Sequence, residues 1–139
     1  MKALTLTQPW ASAIFVPDLK IHETRSWATR HRGPLAIHAA KGLPRYAREF
    51  AQTEIMLGRI ENPIPISMVL GIVEVLDCVP TEEAALDTTA LDRLYGDFAP
   101  GRWAWRLKVL EKFAEPIPAR GALGLWEWNK AEAVRKEDA

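Results

Sequence analysis

Cysteine is nearly absent from this chain of 139 residues. Cys78 stands alone, which excludes an intrachain disulfide and any four-cysteine zinc site, and a reducing compartment fits best. No long apolar run opens the chain: Met1 to Thr7 has one positive charge and too short and interrupted a hydrophobic stretch for a signal peptide or a membrane span. The expected location is the cytoplasm, with no membrane association. Net charge is also missing, 18 basic against 18 acidic side chains, which argues against a uniformly basic nucleic-acid binder. No glycine-rich phosphate loop and no regular βαβ alternation occur, so a doubly wound sheet is not expected. His22, His31 and His38 lack both a His-x-x-x-His pair and a cysteine partner, so neither a metal nor another cofactor is expected. Internal repeats and low-complexity segments are absent.

What is present is apolar surface. A hydrophobic content of 48% with six tryptophans supplies one sizeable core, and one domain over residues 1–128 is expected, followed by a frayed polar tail over 129–139. The charges that cancel overall are segregated along the chain. Lys20, Arg25, Arg30, Arg32, Lys41, Arg45 and Arg48 face only Glu23 between positions 20 and 48, whereas residues 49–97 hold ten acids against Arg59 and Arg93. Such a division can build a local positive surface for phosphates.

Hydrophobic patterning predicts the elements. Lys2 to Leu6 alternates as a strand, and Thr7 is expected to cap a short helix carrying Pro9 in its first turn and Trp10, Ala11, Ile14 and Phe15 on one face. Ile21 to Trp27 reads as extended, and Leu35 to Ala39 as a buried strand. Gly42 to Gly58 carries Leu43, Tyr46, Ala47, Phe50 and Leu57 at helical spacing. Ser67 to Val79, apolar and β-branched, reads as a central strand in which Glu74 needs an edge position or a basic partner. Thr81 to Leu94 predicts a short acidic helix or turn assembly. Arg102 to Leu110 alternates, with Trp103, Trp105, Leu107 and Val109 inward and Arg102, Arg106 and Lys108 outward, and Leu123 to Trp128 forms a last strand. The expected class is α+β, a mixed β-barrel of five or six strands with two or three short helices.

The chemistry concentrates near Lys20. In an extended segment Glu23 and Arg25 share a face, so carboxylate and guanidinium can meet with Lys20 just ahead of them. Such a set can bind a phosphate or a polar base edge, or move a proton if burial perturbs the lysine. Trp10 and Trp27 flank it and could stack on an unpaired base, Trp27 being the better candidate because Trp10 also shares an apolar stripe. The competing explanation is an ordinary surface ion pair.

Gln8-Pro9-Trp10-Ala11, Lys20, Glu23-Thr24-Arg25-Ser26-Trp27, Arg32-Gly33, Ile37-His38-Ala39 with Lys41, Gly101 to Trp105, and Arg120-Gly121 to Trp126 together resemble the signature of the ASCH (activating signal cointegrator homology) domain family. The resemblance implies a PUA-like β-barrel with a cleft lined by residues 20–25, and binding of RNA or another single-stranded nucleic acid, or of a nucleoside or nucleotide; the chain is expected to be a monomer. The ligand-binding residues it implies are Gln8, Trp10, Lys20, Glu23, Arg25, Trp27, Lys41 and Arg102. Some relatives hydrolyse N4-acetylated cytidine with a lysine, a threonine three residues later and a distant glutamate. Lys20 matches the first, but Glu23 stands where the threonine would be and lacks its hydroxyl. Other relatives are ribonucleases. Binding is therefore the leading expectation, with hydrolysis of N4-acylated cytidine or of an RNA phosphodiester by Lys20 and Glu23 as catalytic pair the alternative.

Overall fold

The alternation in strand β1 (Lys2–Leu6) sends side chains to two different cores, because both faces of the sheet are covered here. Leu4 and Leu6 join Leu35, Ile37, Val73, Val75 and Trp105 under helix α1 (Trp10–Ile14), whereas Ala3 packs with Ala36, Val69, Phe113, Ile117 and Trp128 on the other side. The structure is a computed structural model and describes residues 1–138. Its remaining elements are β2 (His22–Arg25), β3 (Gly33–Ala39), α2 (Arg45–Met56), β4 (Met68–Pro80), α3 (Thr81–Ala84), α4 (Ala90–Leu94), β5 (Trp103–Pro118), β6 (Leu125–Glu127) and α5 (Lys130–Asp138). The strands form one sheet in the order β2-β5-β4-β3-β1-β6, parallel between β1 and β3 and antiparallel elsewhere. The sheet curls into a half-barrel of the α+β, PUA-like kind, with five short helices rather than two or three. No helix among the described residues is long and apolar enough to cross a membrane.

Several local expectations change. Thr7 does not cap α1; Pro9 holds the N-cap position without a side-chain bond, and Gln8 just before it accepts the Ser12 N–H on Oε1 at 2.9 Å. In α2 the buried line is Ala47, Ala51 and Glu54, so Tyr46 and Leu57 are exposed, and Glu54 is paired with Arg59 at 3.1 Å. Strand β5 continues to Pro118, well beyond the alternating stretch. Its pairing with β4 shifts register three times, which bends both strands, and the inward pattern ends before Val109, which is exposed. Beyond that point only Phe113 and Ile117, four residues apart, are buried in the second core, so a two-residue hydrophobic periodicity could not reveal the rest of β5. Glu74 lies inside the sheet with Lys108 directly opposite it. Residues 130–138, expected to fray, form α5, begun by Asn129 Oδ1 accepting the Glu132 N–H at 3.0 Å and anchored through Ala133.

One contact shows how tightly the two long strands cross α1. A Cβ at Gly71 would fall inside van der Waals contact of the Glu111 carbonyl and 2.6 Å from Phe15 Cε1. Gly71→Ala is expected to cost about 3 kcal/mol, since main chain cannot yield as a flexible side chain would. A shift in the urea midpoint at unchanged slope checks it.

Candidate functional site

Lys20 is brought to its place from both sides. Leu19 before it is buried with Ala13, Ile60 and Tyr95. After it, the carboxylate of Asp92 in α4 accepts hydrogen bonds from the main-chain N–H of Ile21 (2.7 Å) and His22 (2.9 Å). The same carboxylate pairs with His22 Nδ1 and accepts from Thr88 Oγ1, both at 2.8 Å. Burial works to raise the Asp92 pKa, but the bonds from His22, Thr88 and Ile21 outweigh it and hold the carboxyl below its ordinary range. The Asp92 main-chain N–H in turn donates the N-cap bond of α4 to Thr89 Oγ1, so α4 and β2 are fixed to each other at one residue.

That clamp sets the Tyr95 carbonyl, at the end of α4, 2.9 Å from Lys20 Nζ. The ammonium reaches Glu23 Oε1 at 3.3 Å, and Glu23 Oε2 lies 3.5 Å from Arg25 Nη1. The Lys20 side chain is 1% exposed and that of Glu23 8%. This is no surface ion pair: both charges are buried at the floor of a cleft of about 480 Å³. Arg102 forms one rim, donating to the Thr24 carbonyl (3.3 Å) and the Asp97 carbonyl (3.1 Å) and pairing with the Asp97 carboxylate at 3.5 Å. Trp10 and Tyr46 form the opposite wall, their rings 6.2 Å apart, with Trp10 backed by Phe50 at 5.6 Å in a stacked arrangement. The cations Lys20, Arg25 and Arg102 face the anions Glu23 and Asp97, an excess of one positive charge.

Five of the expected residues thus meet in one cleft: Trp10, Lys20, Glu23, Arg25 and Arg102. Three do not line it. Gln8 is wholly buried, spending its amide on Ser12 and the Pro65 carbonyl. Trp27 lies outside, edge-on to Trp105 at 4.9 Å, with the Arg25 guanidinium 5.8 Å above its ring. Lys41 borders a different hollow. The histidines are structural: His22 pairs with Asp92, while His31 and His38 bond the Pro34 and Ala119 carbonyls. Among the described residues no group of three or more metal-ligating side chains forms. Sequence reasoning missed Tyr46, Asp92, Tyr95 and Asp97. Tyr46 was visible only as part of an amphipathic stripe, and nothing local links Asp92 to a segment 70 residues earlier.

The profile of the ASCH domain family matches residues 4–117. Activating signal cointegrator 1 of Homo sapiens is 36% identical over 86 residues, covering 58% of this chain and 15% of that protein. The Mus musculus protein of the same name is 35% identical over the same coverage. The chain therefore spans a small part of the curated relatives it matches. The crystal structure of ASCH from Zymomonas mobilis superposes with a TM-score of 0.54 at 14% identity, covering 99% of this chain and 92% of that one. A tyrosine-to-phenylalanine mutant of that protein gives 0.55 at 14% identity, over 99% and 95%. At this identity the likeness is one of fold.

Proposed function

Because the chain belongs to the ASCH domain family, a PUA-like fold often associated with RNA binding, we propose that its cleft binds a base of single-stranded RNA or a modified nucleoside or nucleotide. The observation that carries this reading is a buried donor without an acceptor: Arg25 Nε has no hydrogen-bond partner among the described residues. An unsatisfied buried donor costs about 1–3 kcal/mol, which a ligand acceptor would recover. Lys20 adds to it, since its ammonium has three N–H donors, of which the Tyr95 carbonyl accepts one while Glu23 is an ion-pair partner at 3.3 Å. A base edge offers carbonyl and ring-nitrogen acceptors to such donors, and Glu23 can accept from an exocyclic amine. Trp10, already braced by Phe50, supplies a face for stacking at little further ordering cost. With each cation paired to an acid, the cleft suits a base or one phosphate better than a run of phosphates.

Titrating a labelled single-stranded RNA by fluorescence anisotropy, with nucleosides as competitors, tests this. Arg25→Ala is expected to weaken binding about ten- to a hundredfold, as loss of a charged hydrogen bond does. Absence of binding by the wild-type protein at low salt, or unchanged affinity in the variant, would sink the reading.

Hydrolysis remains the second reading, favoured by the 3.3 Å approach of Lys20 Nζ to Glu23 Oε1 inside the cleft. Thr24 does not restore a lysine and threonine pair, because its Oγ1 is held by the Asp97 N–H at 2.9 Å. Turnover of N4-acetylcytidine or of a labelled RNA that disappears in Lys20→Ala would establish it, and no lysine-dependent turnover would discard it.

A further inference from the structure

We propose that Lys41 and Arg120 form a second, phosphate-binding site on the opposite face of β1, which takes the backbone of a single-stranded RNA whose base occupies the first cleft. This inference rests on the RNA-binding reading above.

Consecutive strand residues point to opposite faces of a sheet. At the end of β1, Leu6 borders the first cleft, whereas Thr5 lies on the floor of another hollow of about 1040 Å³. Lys41, just beyond β3, and Arg120, just beyond β5, flank that floor. Among the described residues no acidic side chain lines the hollow and neither cation has a carboxylate partner, although Arg120 also borders another hollow that holds Glu127 and Glu132. The first cleft is the reverse, each of its cations being matched to an acid.

The floor itself is saturated. His38 bonds the Ala119 carbonyl through Nε2 at 2.7 Å and Thr5 Oγ1 through Nδ1 at 3.1 Å, and Thr5 Oγ1 accepts the Trp126 indole N–H at 3.0 Å. Burial holds the His38 pKa below its ordinary value, against the opposing effect of the Ala119 bond, so the ring stays neutral and takes no part as a cation. Gly121 packs so closely on it that a Cβ there would lie 2.7 Å from His38 Cε1, which presses the turn bearing Arg120 against the sheet. Ser67, on the same rim, holds a left-handed φ of 55° unusual for a residue other than glycine, and its hydroxyl has no partner among the described residues. A planar guanidinium, an ammonium and a free hydroxyl around a neutral floor are the donors a phosphate oxygen accepts from.

Both cations are exposed and the hollow is wide, so a free phosphate would be held only weakly. A polymer tethered by a base in the neighbouring cleft is presented to them at high effective concentration. Cations without a carboxylate partner are free to neutralise phosphates and so displace the counterions condensed on the RNA, so the salt dependence of RNA binding should reside here rather than around Lys20.

The test measures affinity for a short labelled single-stranded RNA across a salt series, with wild type, Lys41→Ala/Arg120→Ala and Arg25→Ala, beside arms using a free nucleoside and inorganic phosphate. For the Lys41/Arg120 variant, the slope of log K against log salt should fall by about 1.4, some 0.7 for each phosphate contact to a single strand. Nucleoside binding and the thermal midpoint should stay unchanged. An unaltered slope in that variant, with RNA still bound by wild type and weakened in Arg25→Ala, overturns the second site alone. A reduced slope with no effect of Arg25→Ala leaves the phosphate site standing and removes the base-binding reading. Inorganic phosphate bound at the pair without RNA binding overturns RNA as the occupant, and no binding in any arm overturns both.

Discussion

Lys20→Ala is expected to abolish ligand binding in the first cleft and to lower stability by about 3 kcal/mol, the low end for removing one partner of a buried ion pair. The low end applies because Arg25 remains 3.5 Å from the carboxylate that would be left behind. Loss of binding in this variant is therefore not by itself evidence of a ligand contact. The informative companion is Lys20→Met combined with Glu23→Gln, which removes both charges at similar volume. Replacing both partners of a buried pair is often close to neutral for stability, so the double variant should recover most of the lost denaturation midpoint. It should still fail to bind RNA or nucleoside. If the double variant regains binding together with stability, the pair serves only the fold, and the cleft's function lies elsewhere.

The largest stability effect is expected at Asp92, which touches no ligand. Asp92→Ala would leave the donors of Ile21, His22 and Thr88 without the fully buried carboxylate that accepts from all of them, at a cost of about 4 kcal/mol. Because this carboxylate holds β2 against α4, the Tyr95 carbonyl would lose its position beside Lys20, and binding should weaken even where the variant remains folded. The pH dependence has a definite sign. The folded-state pKa of Asp92 is lowered from its ordinary 3.8, so between those two values the unfolded chain binds the proton and the folded one does not. The stabilisation is complete above about pH 3.8 and is lost as pH falls through the folded value. Asp92→Asn carries no such proton. Its urea midpoint should be lower than wild type at neutral pH, and the gap should narrow at the acid end. A gap that stays constant from neutral pH to below 3 would show that Asp92 stabilises the fold through shape alone.

Much of the site was legible because its chemistry is local. Lys20, Glu23 and Arg25 lie within one extended segment, and the two-residue period of a strand puts the last two on one face whatever surrounds them. Their burial was not legible. An ion pair on a solvated strand and one at a cleft floor have the same sequence, and the difference is made by Tyr46, Trp10 and the residues after α4 closing over it. Arg102 joined the site through its register beside β2, whereas Gln8 and Trp27, equally close in sequence to Lys20, were taken by α1 and Trp105. Lys41 shows the same division: its charge was readable, and its place on the far side of β1 was not.

By itself the sequence determined the strands whose apolar pattern is strong, the absence of a disulfide within these 139 residues, and the segregation of charge along the chain. Periodicity and composition act over a few residues, and those properties need nothing more. Tertiary structure decided which charges are partnered. The acid that orders the Lys20 segment comes from α4, 70 residues away, and among the described residues the cations of the second hollow have no carboxylate partner, although Arg120 also borders a hollow that holds Glu127 and Glu132. Electrostatic partnership falls off over a few ångströms of space rather than positions of sequence, so only the folded chain could assign one cleft to cations paired with acids and the other to exposed cations without a carboxylate partner.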